Sequence, residues 1–467
     1  MLSQHSTTNQ HPSYFNNNHN MASEPFKAII IGGGPSGITA AHAFYHAGID
    51  FVVLERRTNI VEDLGASLVL GPTSMRVFHQ LGILDKLMEI GMLLDDNRGF
   101  TTDGFNFKQS SAFDLLKEHH GTTPLAFHRA HLIQALYDTL PEDAKTRYHT
   151  GKKLAKITTT DTGVIVNCED GSSYTGSVVI GADGVHSATR RQMRRLALEE
   201  DPAREWDPEK PYETNYRCMW ASFPRPTAAG QSYETQGVDQ SVMYITGKER
   251  GWIFCYEKLS EPTKERISFT EKELEEYGAR FAEWPITGTL KVKDVFKERY
   301  NAGGAGLEEG ICKHWSFRGR IVLVGDAAHK FTPNAGLGFN NGVQDVVAVC
   351  NGLRKLIAES NGAPGFDALE SLFEEYKTDR MEGLEKDLGQ SARLTRLHAW
   401  ATTKDWFMAR YILSWGFMQR ILLAYIVSPA IQKGKVFDFI AASEPFEPGS
   451  FKWLHPLLNT VSKNRAL

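Results

Sequence analysis

The sequence has few cysteines, and none of them are spaced to form a metal site. It contains five cysteines in 467 residues, and no two of them form a CxxC pair. An odd, dispersed set is typical of reduced thiols in a cytosolic protein, where most thiols pack inside the fold. The pattern argues against a disulfide scaffold and a zinc site, and we predict no metal. The cysteines are Cys168, Cys218, Cys255, Cys312 and Cys350.

The sequence also lacks an excess of positive charge and an apolar leader. It has 52 Lys and Arg residues against 56 Asp and Glu residues, which gives a net charge of −4. A nucleic-acid partner is therefore not expected, since such proteins present a basic face. Residues 1–24 are rich in Asn, Gln, His and Ser, and we predict a disordered tail there. Met1 and Met21 both remain open as the true start.

Long uninterrupted apolar runs are missing as well. Residues 406–427 are apolar and aromatic, but Arg410, Gln419 and Arg420 interrupt them. A membrane-spanning helix needs about twenty predominantly apolar residues. We expect a cytoplasmic protein in which these helices pack over a pocket. The alternative is a peripheral contact with a membrane, such as that of the endoplasmic reticulum.

A strand followed by a glycine-rich turn organises the chain. The β-branched run before Gly32 is typical of a buried parallel strand, and a helix-favouring segment follows Gly37. In Gly32-x-Gly34-x-x-Gly37, the glycines allow the tight turn, the approach of a pyrophosphate and close helix packing. A second strand ends in Glu55, where a carboxylate can bind a ribose diol. The order of these elements predicts a dinucleotide site in an α/β fold.

Three further loops are predicted to face the same ligand. Arg129 begins an amphipathic helix and can reach phosphates. Asp183 follows a strand in the sequence Gly181-Ala182-Asp183-Gly184. Asp326 ends another buried strand, where it can hold a sugar-like hydroxyl. The turn after it directs helix amides at the ligand. That turn contains Gly336, Gly338, Phe339 and Asn340.

After residue 200 the sequence pattern becomes one of strands with alternating apolar and polar residues and many aromatic side chains. We predict a mostly antiparallel sheet there that provides a floor for a large apolar substrate. The predicted organisation has five parts: a tail (1–24), the first part of the nucleotide domain (25–200), the substrate-binding sheet (201–304), the second part of the nucleotide domain (305–395) and a helical region (396–467).

The separated motifs resemble those of the class A flavoprotein monooxygenases, which share the para-hydroxybenzoate hydroxylase fold. The resemblance covers about residues 25–395 and rests on the Gly32 turn with Glu55, the Asp183 loop and the Asp326 loop. Within this class the chain looks like the fungal FAD-dependent epoxidases of meroterpenoid and indole-diterpene biosynthesis. The narrower match rests on Gly65-Ala66-Ser67, Tyr216-Arg217-Cys218 and His329-Lys330-x-Thr332-Pro333-Asn334.

The resemblance implies a Rossmann-like domain that binds FAD. It places Glu55 on the adenosine ribose, Arg129 on the pyrophosphate side and Asp326 on the ribityl chain. It places Val69 and the Gly338–Phe339 backbone beside the flavin. Family members usually carry a glycine where Val69 stands and a small residue where Phe339 stands, so this chain departs from the pattern at both positions.

The resemblance also implies the reaction. NAD(P)H would reduce FAD, dioxygen would add at flavin C4a, and the resulting hydroperoxide would give one oxygen atom to the substrate. In the epoxidase-like branch the tyrosine that matches Tyr216 is catalytic, whereas the sequence alone allows a packing role equally well. We expect epoxidation of an alkene on a large, apolar, prenyl-derived metabolite. The alternatives are an aromatic or alicyclic hydroxylase, a flavin oxidoreductase without oxygen insertion, and a non-catalytic prenyl-binding protein. The oligomeric state stays open.

Overall fold

The computed structural model of the chain describes residues 25–63 and 65–458. The predicted tail, Met21 and the last nine residues of the predicted helical region lie outside the described residues. The part that is described contains both nucleotide-domain segments, the substrate-binding sheet and most of the C-terminal region.

The strands in the described ranges are β1 (Lys27–Ile31), β2 (Asp50–Leu54), β3 (Ser67–Leu70), β4 (Met92–Leu93), β5 (Asp96–Thr101), β6 (Asn106–Ser110), β7 (Leu125–His128), β8 (Tyr148–His149), β9 (Leu154–Thr159), β10 (Val164–Cys168), β11 (Ser173–Gly176), β12 (Val178–Gly181), β13 (Glu213–Pro224), β14 (Gln231–Gly237), β15 (Gln240–Thr246), β16 (Arg250–Thr263), β17 (Asn301–Ile311), β18 (Ser316–Phe317), β19 (Ile321–Leu323) and β20 (His329–Lys330).

The α-helices in the same ranges are α1 (Pro35–Ala47), α2 (Pro72–Gln80), α3 (Leu84–Ile90), α4 (Ala112–His120), α5 (Arg129–Asp138), α6 (Glu142–Lys145), α7 (Ala188–Glu200), α8 (Glu271–Arg280), α9 (Val292–Phe296), α10 (Leu337–Glu359), α11 (Phe366–His398), α12 (Thr403–Phe407), α13 (Gly416–Leu422) and α14 (Ser428–Ile431). Short 3₁₀ turns occupy Gly325–Ala327 and Pro333–Ala335, and π-helical turns occupy Met408–Ile412 and Leu423–Val427.

The nucleotide domain is built on a six-stranded sheet in the order β18-β19-β12-β1-β2-β8. Strand β1 is buried over four of its five residues, as expected for a strand with helices on both faces. It pairs in parallel with β2 on one side and β12 on the other, which aligns Ile31 with Leu54 and with Gly181. The predicted strand, turn, helix and second strand are therefore confirmed.

The sheet that was predicted to bind substrate has eight strands in the order β20-β17-β13-β16-β15-β14-β5-β6. Its centre, β13 to β16, lies within the predicted range 201–304. The predicted boundaries of the sheet are wrong, because β5 and β6 come from the first part of the chain and β17 and β20 extend beyond residue 304. Strand β5 pairs in parallel with β14, a contact between segments about 135 positions apart that leaves no local signal.

Helix α11 connects the two sheets. Near its middle, the Tyr376 hydroxyl donates to the Leu323 carbonyl of the parallel sheet at 3.1 Å. At its C-terminal end, His398 Nε2 lies 3.2 Å from Glu234 Oε2 on the eight-stranded sheet. One continuous helix of 33 residues therefore fixes the position of each sheet relative to the other.

The C-terminal region is helical only as far as Ile431. The prediction of a helical region over 396–467 is wrong for residues 432–458, which contain no helix. Pro445, Pro448 and Pro456 lie in this segment, and proline removes a helical hydrogen bond. The segment instead returns to α2, where Arg76 pairs with Glu444 at 2.6 Å.

No single helix within residues 25–63 and 65–458 is both long and apolar enough to cross a membrane. The segments Thr403–Ile412 and Gly416–Ile431 pass that test only when they are taken together, and they are bent by 105° relative to each other.

Candidate active site

One cavity of about 850 Å³ extends from the parallel sheet to the eight-stranded sheet. Its polar end is formed by the loops after β1, β2, β12 and β19. Its apolar end is formed by side chains of the eight-stranded sheet. A cofactor and a substrate can therefore lie in one continuous space, which the carboxyl ends of parallel strands typically provide.

The turn after β1 is shaped by contacts that only glycine permits. Gly32 has a φ of +101°, and a Cβ there would lie 2.6 Å from the Ala182 carbonyl oxygen. A Cβ at Gly37 would lie 1.9 Å from the Gly32 carbonyl oxygen, so α1 packs directly on the turn. Gly34 lines the cavity, and a Cβ there would meet nothing within 4 Å. Open space over Gly34 is what a pyrophosphate at the start of α1 requires.

Glu55 is held in place by backbone groups at the end of β2. Its two carboxylate oxygens accept hydrogen bonds from Gly33 N at 2.7 Å and Arg57 N at 2.9 Å. Each carboxylate oxygen has a second lone pair, and Glu55 lines the cavity. Tyr148 supports the same turn, because its hydroxyl donates to the Gly33 carbonyl at 3.0 Å. Sequence reasoning missed Tyr148, since nothing near it in the chain connects it to Gly33.

Arg129 is the first residue of α5 and lines the cavity. Its backbone N–H donates to the Ala66 carbonyl at 3.0 Å, which ties α5 to the loop before β3. Burial lowers the pKa of the guanidinium, although the carboxylates of Asp326 and Glu55 act in the opposite direction. A partly desolvated guanidinium beside the glycine turn is suited to a phosphate.

Asp183 lines the cavity with its loop, but its carboxylate is engaged within that loop. It accepts hydrogen bonds from Ser187 Oγ at 2.5 Å, Thr189 N at 2.9 Å and Thr189 Oγ1 at 3.0 Å. These contacts fix the start of α7. The Asp183 carboxylate therefore contacts Ser187 and Thr189. Residues 182–185 form part of the cavity wall.

Asp326 lies in the turn after β19 and lines the cavity. Its carboxylate pairs with Lys330 Nζ at 2.5 Å, a partner that sequence reasoning missed although it lies four residues ahead. The turn is anchored from behind by Asp345, which is fully buried. Asp345 Oδ2 accepts from Gly325 N at 2.8 Å, and Oδ1 accepts from Arg380 Nε at 2.9 Å.

Asn340 connects the Gly336 turn to the region around β3. Its amide nitrogen donates to the carbonyls of Val69 at 2.9 Å and Gly336 at 2.7 Å. Its amide oxygen accepts from Gly71 N at 2.8 Å and Ser74 Oγ at 2.7 Å. Asn340 is absent from the described residues that line the cavity, so it positions the wall instead of facing the ligand.

Val69, Gly336, Gly338 and Phe339 do line the cavity, between its polar and apolar ends. A Cβ at Gly338 would lie 3.7 Å from Asp326 Oδ1, so the two predicted loops meet there. The Phe339 ring contacts the ring of Phe78 with centroids 6.1 Å apart. Val69 and Phe339, the two positions that depart from the family pattern, therefore both line this cavity.

The apolar end of the cavity is built by alternating residues of three central strands. Trp220 on β13, Phe254 on β16 and Met243 on β15 lie opposite one another in the strand register. Together with Ile245 and Leu307 they line the cavity. The apolar segment over residues 406–427 does not line it, so the predicted packing of those helices over the pocket is wrong.

Tyr216 lies on the same strand as Trp220 but outside the cavity lining. It is buried in a cluster with Cys218, Tyr256 and Leu307. Its hydroxyl has no hydrogen-bond partner among the described residues. Burial raises the pKa of Tyr216 to about 12, so the phenol is neutral at physiological pH. It can donate a proton in a hydrogen bond to a group that reaches it.

The residues of the polar end fit FAD. Open space lies over Gly34, where the pyrophosphate is expected, and the Glu55 carboxylate lines the cavity where the ribose is expected. The half-buried Arg129 lines the same cavity. Charged side chains that sequence reasoning did not select surround this end and include Arg56, Lys152, His186, Arg191 and Arg266.

Gly34→Val is expected to yield protein without FAD. The branched side chain would fill the open space over the turn, where the pyrophosphate lies, while β1 and α1 keep their packing. Flavin absorbance of the purified protein measures the effect. Gly383→Val is the matched control, because a Cβ at Gly383 also meets nothing within 4 Å but lies on α11. Full flavin content in the Gly34 variant would contradict the assignment.

Asp326→Ala is expected to weaken FAD binding by about 1–3 kcal/mol, the cost of losing a hydrogen bond to a charged group. Flavin fluorescence titration of the apoprotein measures it. Lys330→Ala removes the ion pair but keeps the carboxylate, and its affinity should stay close to that of the parent. Equal losses in both variants would assign the effect to the ion pair, not to a contact between Asp326 and the cofactor.

Comparison with known proteins agrees with this geometry. Residues 26–386 match the sequence family described as FAD binding domain. The FAD-dependent monooxygenase olcE of Penicillium canescens is 32% identical over 450 residues, which cover 94% of this chain and 95% of olcE. The FAD-dependent monooxygenase SAT1 of Stachybotrys chartarum is 46% identical over 197 residues, which cover 42% of this chain and 66% of SAT1.

The fold is similar to that of solved flavoproteins. A Klebsiella pneumoniae HpxO variant complexed with FAD superposes with a TM-score of 0.69 at 22% identity, covering 86% of this chain and 99% of that chain. Together with the match of the family over most of the chain, this shows that the protein belongs to the FAD-dependent monooxygenases with this FAD binding domain.

Proposed function

We propose that this FAD-dependent monooxygenase epoxidises an alkene of a large, apolar, prenyl-derived metabolite. The observation that carries the proposal is the chemistry of the apolar end of the cavity. Strands β13, β15 and β16 contribute Trp220, Phe254, Met243 and Ile245 to its lining, and none of these side chains ionises. An alkene needs no base to react with an electrophilic oxygen, whereas a phenol gains from a group that removes its proton.

The chain's own residues hold the reactants and exclude water. Glu55, Arg129 and Asp326 line the polar end and would hold FAD there. Bound FAD, once reduced by NAD(P)H, supplies the activation of dioxygen, with one oxygen atom going to the substrate and the other to water. The aromatic wall at the apolar end keeps water away from the reacting atoms and orients the substrate by its shape.

The resemblance to the fungal epoxidases supports the choice of an alkene. The motif Gly65-Ala66-Ser67 ends at the first residue of β3, and the Ala66 carbonyl accepts the hydrogen bond from Arg129 N. His329 of the motif that begins at His329 lies 2.6 Å from Asp345 Oδ2 through its Nε2 atom. These two motifs therefore support the loops that hold Arg129 and Asp326, and the remaining motif contains Tyr216.

Labelled dioxygen tests the proposal. Purified enzyme is incubated with NADPH, labelled dioxygen and candidate prenylated substrates, and the products are analysed by mass spectrometry and NMR. We expect a product that carries one labelled oxygen bridging the two former alkene carbons. A product hydroxylated only on a ring would replace epoxidation by hydroxylation within the same class. Oxidation without the label would show a flavin oxidoreductase.

We propose that Tyr216, although it lies just outside the cavity lining, contributes to turnover through its unpartnered hydroxyl, which would donate a hydrogen bond to the substrate or to the flavin. Tyr216→Phe should retain FAD and lower kcat about two- to tenfold, the value of one neutral hydrogen bond. Tyr277→Phe is the control, because that buried tyrosine packs on the opposite face of the sheet, where its hydroxyl donates to the Cys255 carbonyl at 3.3 Å. An unchanged kcat in the Tyr216 variant would leave Tyr216 a packing role only.

A further inference from the structure

Exposed apolar side chains are concentrated on the bent helices near the C-terminus. Of the twelve large apolar side chains that are exposed in the described part of the chain, six lie within residues 403–431. Trp415, Phe417 and Tyr425 are exposed by 63%, 61% and 77%. Large contiguous apolar surfaces are uncommon on monomeric proteins and mark interaction sites. We call these six residues the C-terminal patch: Phe407, Tyr411, Trp415, Phe417, Tyr425 and Ile426.

The helices that carry the C-terminal patch are held against α4 and the residues just before it. Gln419 Oε1, on the buried side of α13, accepts hydrogen bonds from Ser111 N at 3.0 Å and Ser110 Oγ at 3.1 Å. Leu423 packs on Leu115 and Leu116 of α4. The helices therefore hold one face against the protein and present the other face to the outside.

The bend of the helix pair excludes a simple spanning segment. The two segments, Thr403–Ile412 and Gly416–Ile431, meet at 105°, with Trp415 at the corner. A straight span needs about twenty consecutive apolar residues. A bent pair with tryptophan, tyrosine and phenylalanine at its surface is instead typical of a segment that lies in the interface of one leaflet.

The charge around the patch favours an anionic surface. Residues 403–435 contain five basic residues and one acidic residue, although the whole chain has a net charge of −4. The Arg420 side chain is 62% exposed and lies 3.8 Å from Glu118, and Lys435 pairs with Asp379 at 2.6 Å. In a two-fold dimer the same surface would face itself, and these like charges would meet. The basic residues are Lys404, Arg410, Arg420, Lys433 and Lys435, and the acidic one is Asp405.

We propose that the C-terminal patch docks the protein on the surface of an anionic lipid membrane and inserts its aromatic side chains into one leaflet. The basic residues contact lipid headgroups while the aromatic side chains at the corner enter the acyl boundary. This docking is independent of the oxygenation chemistry, because no residue of the patch lines the cavity.

Vesicle flotation of the full FAD-loaded chain tests the proposal. One set of vesicles contains phosphatidylcholine only, and the other also contains phosphatidylserine. We expect binding to both, and stronger binding with phosphatidylserine. The double variant Trp415→Asp, Phe417→Asp should bind vesicles at least about tenfold more weakly, because each substitution replaces a large apolar side chain that would be buried in the membrane. Arg420→Gln should lose about fivefold on phosphatidylserine vesicles only.

Tyr300→Asp is the matched control. Tyr300 is exposed by 57%, similar to Trp415 and Phe417, but lies just before β17 and outside the patch. It should bind vesicles like the parent, and all variants should keep the parent's flavin content and thermal midpoint. Absent vesicle binding by the parent, or equal binding by the double variant, would overturn the proposal. A parent dimer in gel filtration that the double variant dissolves, without vesicle binding, would instead make the patch an interface between copies.

Discussion

The site depends on the close approach of three loops, which follow β1, β12 and β19. These loops contact each other at glycines, where no side chain separates the backbones. The turn after β1 touches Ala182 of the loop after β12, and Gly325 of the turn after β19 faces Ser36, with 3.0 Å between a Cβ at Gly325 and Ser36 Oγ. A Cβ at Gly342 would lie 2.6 Å from the same oxygen. Any side chain at these positions would separate the loops. Their convergence leaves room for a dinucleotide and points backbone N–H groups toward it.

Buried charges hold this arrangement to the rest of the protein. Asp345 is fully buried between His329 and Arg380, and burial alone would disfavour its ionised form. The contacts with His329 and Arg380 outweigh that effect and lower the pKa of Asp345 to about 2. Leaving one member of such a group without its partner costs about 3–5 kcal/mol. Because Asp345 also accepts from Gly325 N, the position of the Asp326 turn depends on this buried group.

The eight-stranded sheet is joined to α11 by a similar group. Glu234 is buried, and burial opposes its ionisation, but the nearby His398 and Lys108 lower its pKa. Trp400 Nε1 also donates to Gln236 Oε1 at 2.9 Å. Charged contacts that lie outside the cavity therefore fix the position of its polar end relative to its apolar end.

Sequence reasoning was accurate where the signal was local. The Gly32 turn and Glu55 are part of one strand-turn-helix-strand unit, whose order along the chain is also its order in space. It failed where pairing was distant: β5 and β6 join the eight-stranded sheet through β14, and residues 432–458 return to α2. It also gave no sign that the Asp183 carboxylate accepts a hydrogen bond from Thr189 N at the start of α7.

Val69, which replaces the glycine usual in the family, is accommodated by the glycine at position 336. Val69 is larger than the glycine usual at its position, yet the Gly336 turn still packs against it. It does so because residue 336 is a glycine with a φ of +64°, whose Cβ, if present, would lie 3.6 Å from Val69 Cβ. Asn340 then bonds to both the Val69 and Gly336 carbonyls, so the two segments keep a fixed spacing. The side chains of Val69 and Phe339 therefore line the cavity while the loops at its polar end keep their contacts with each other.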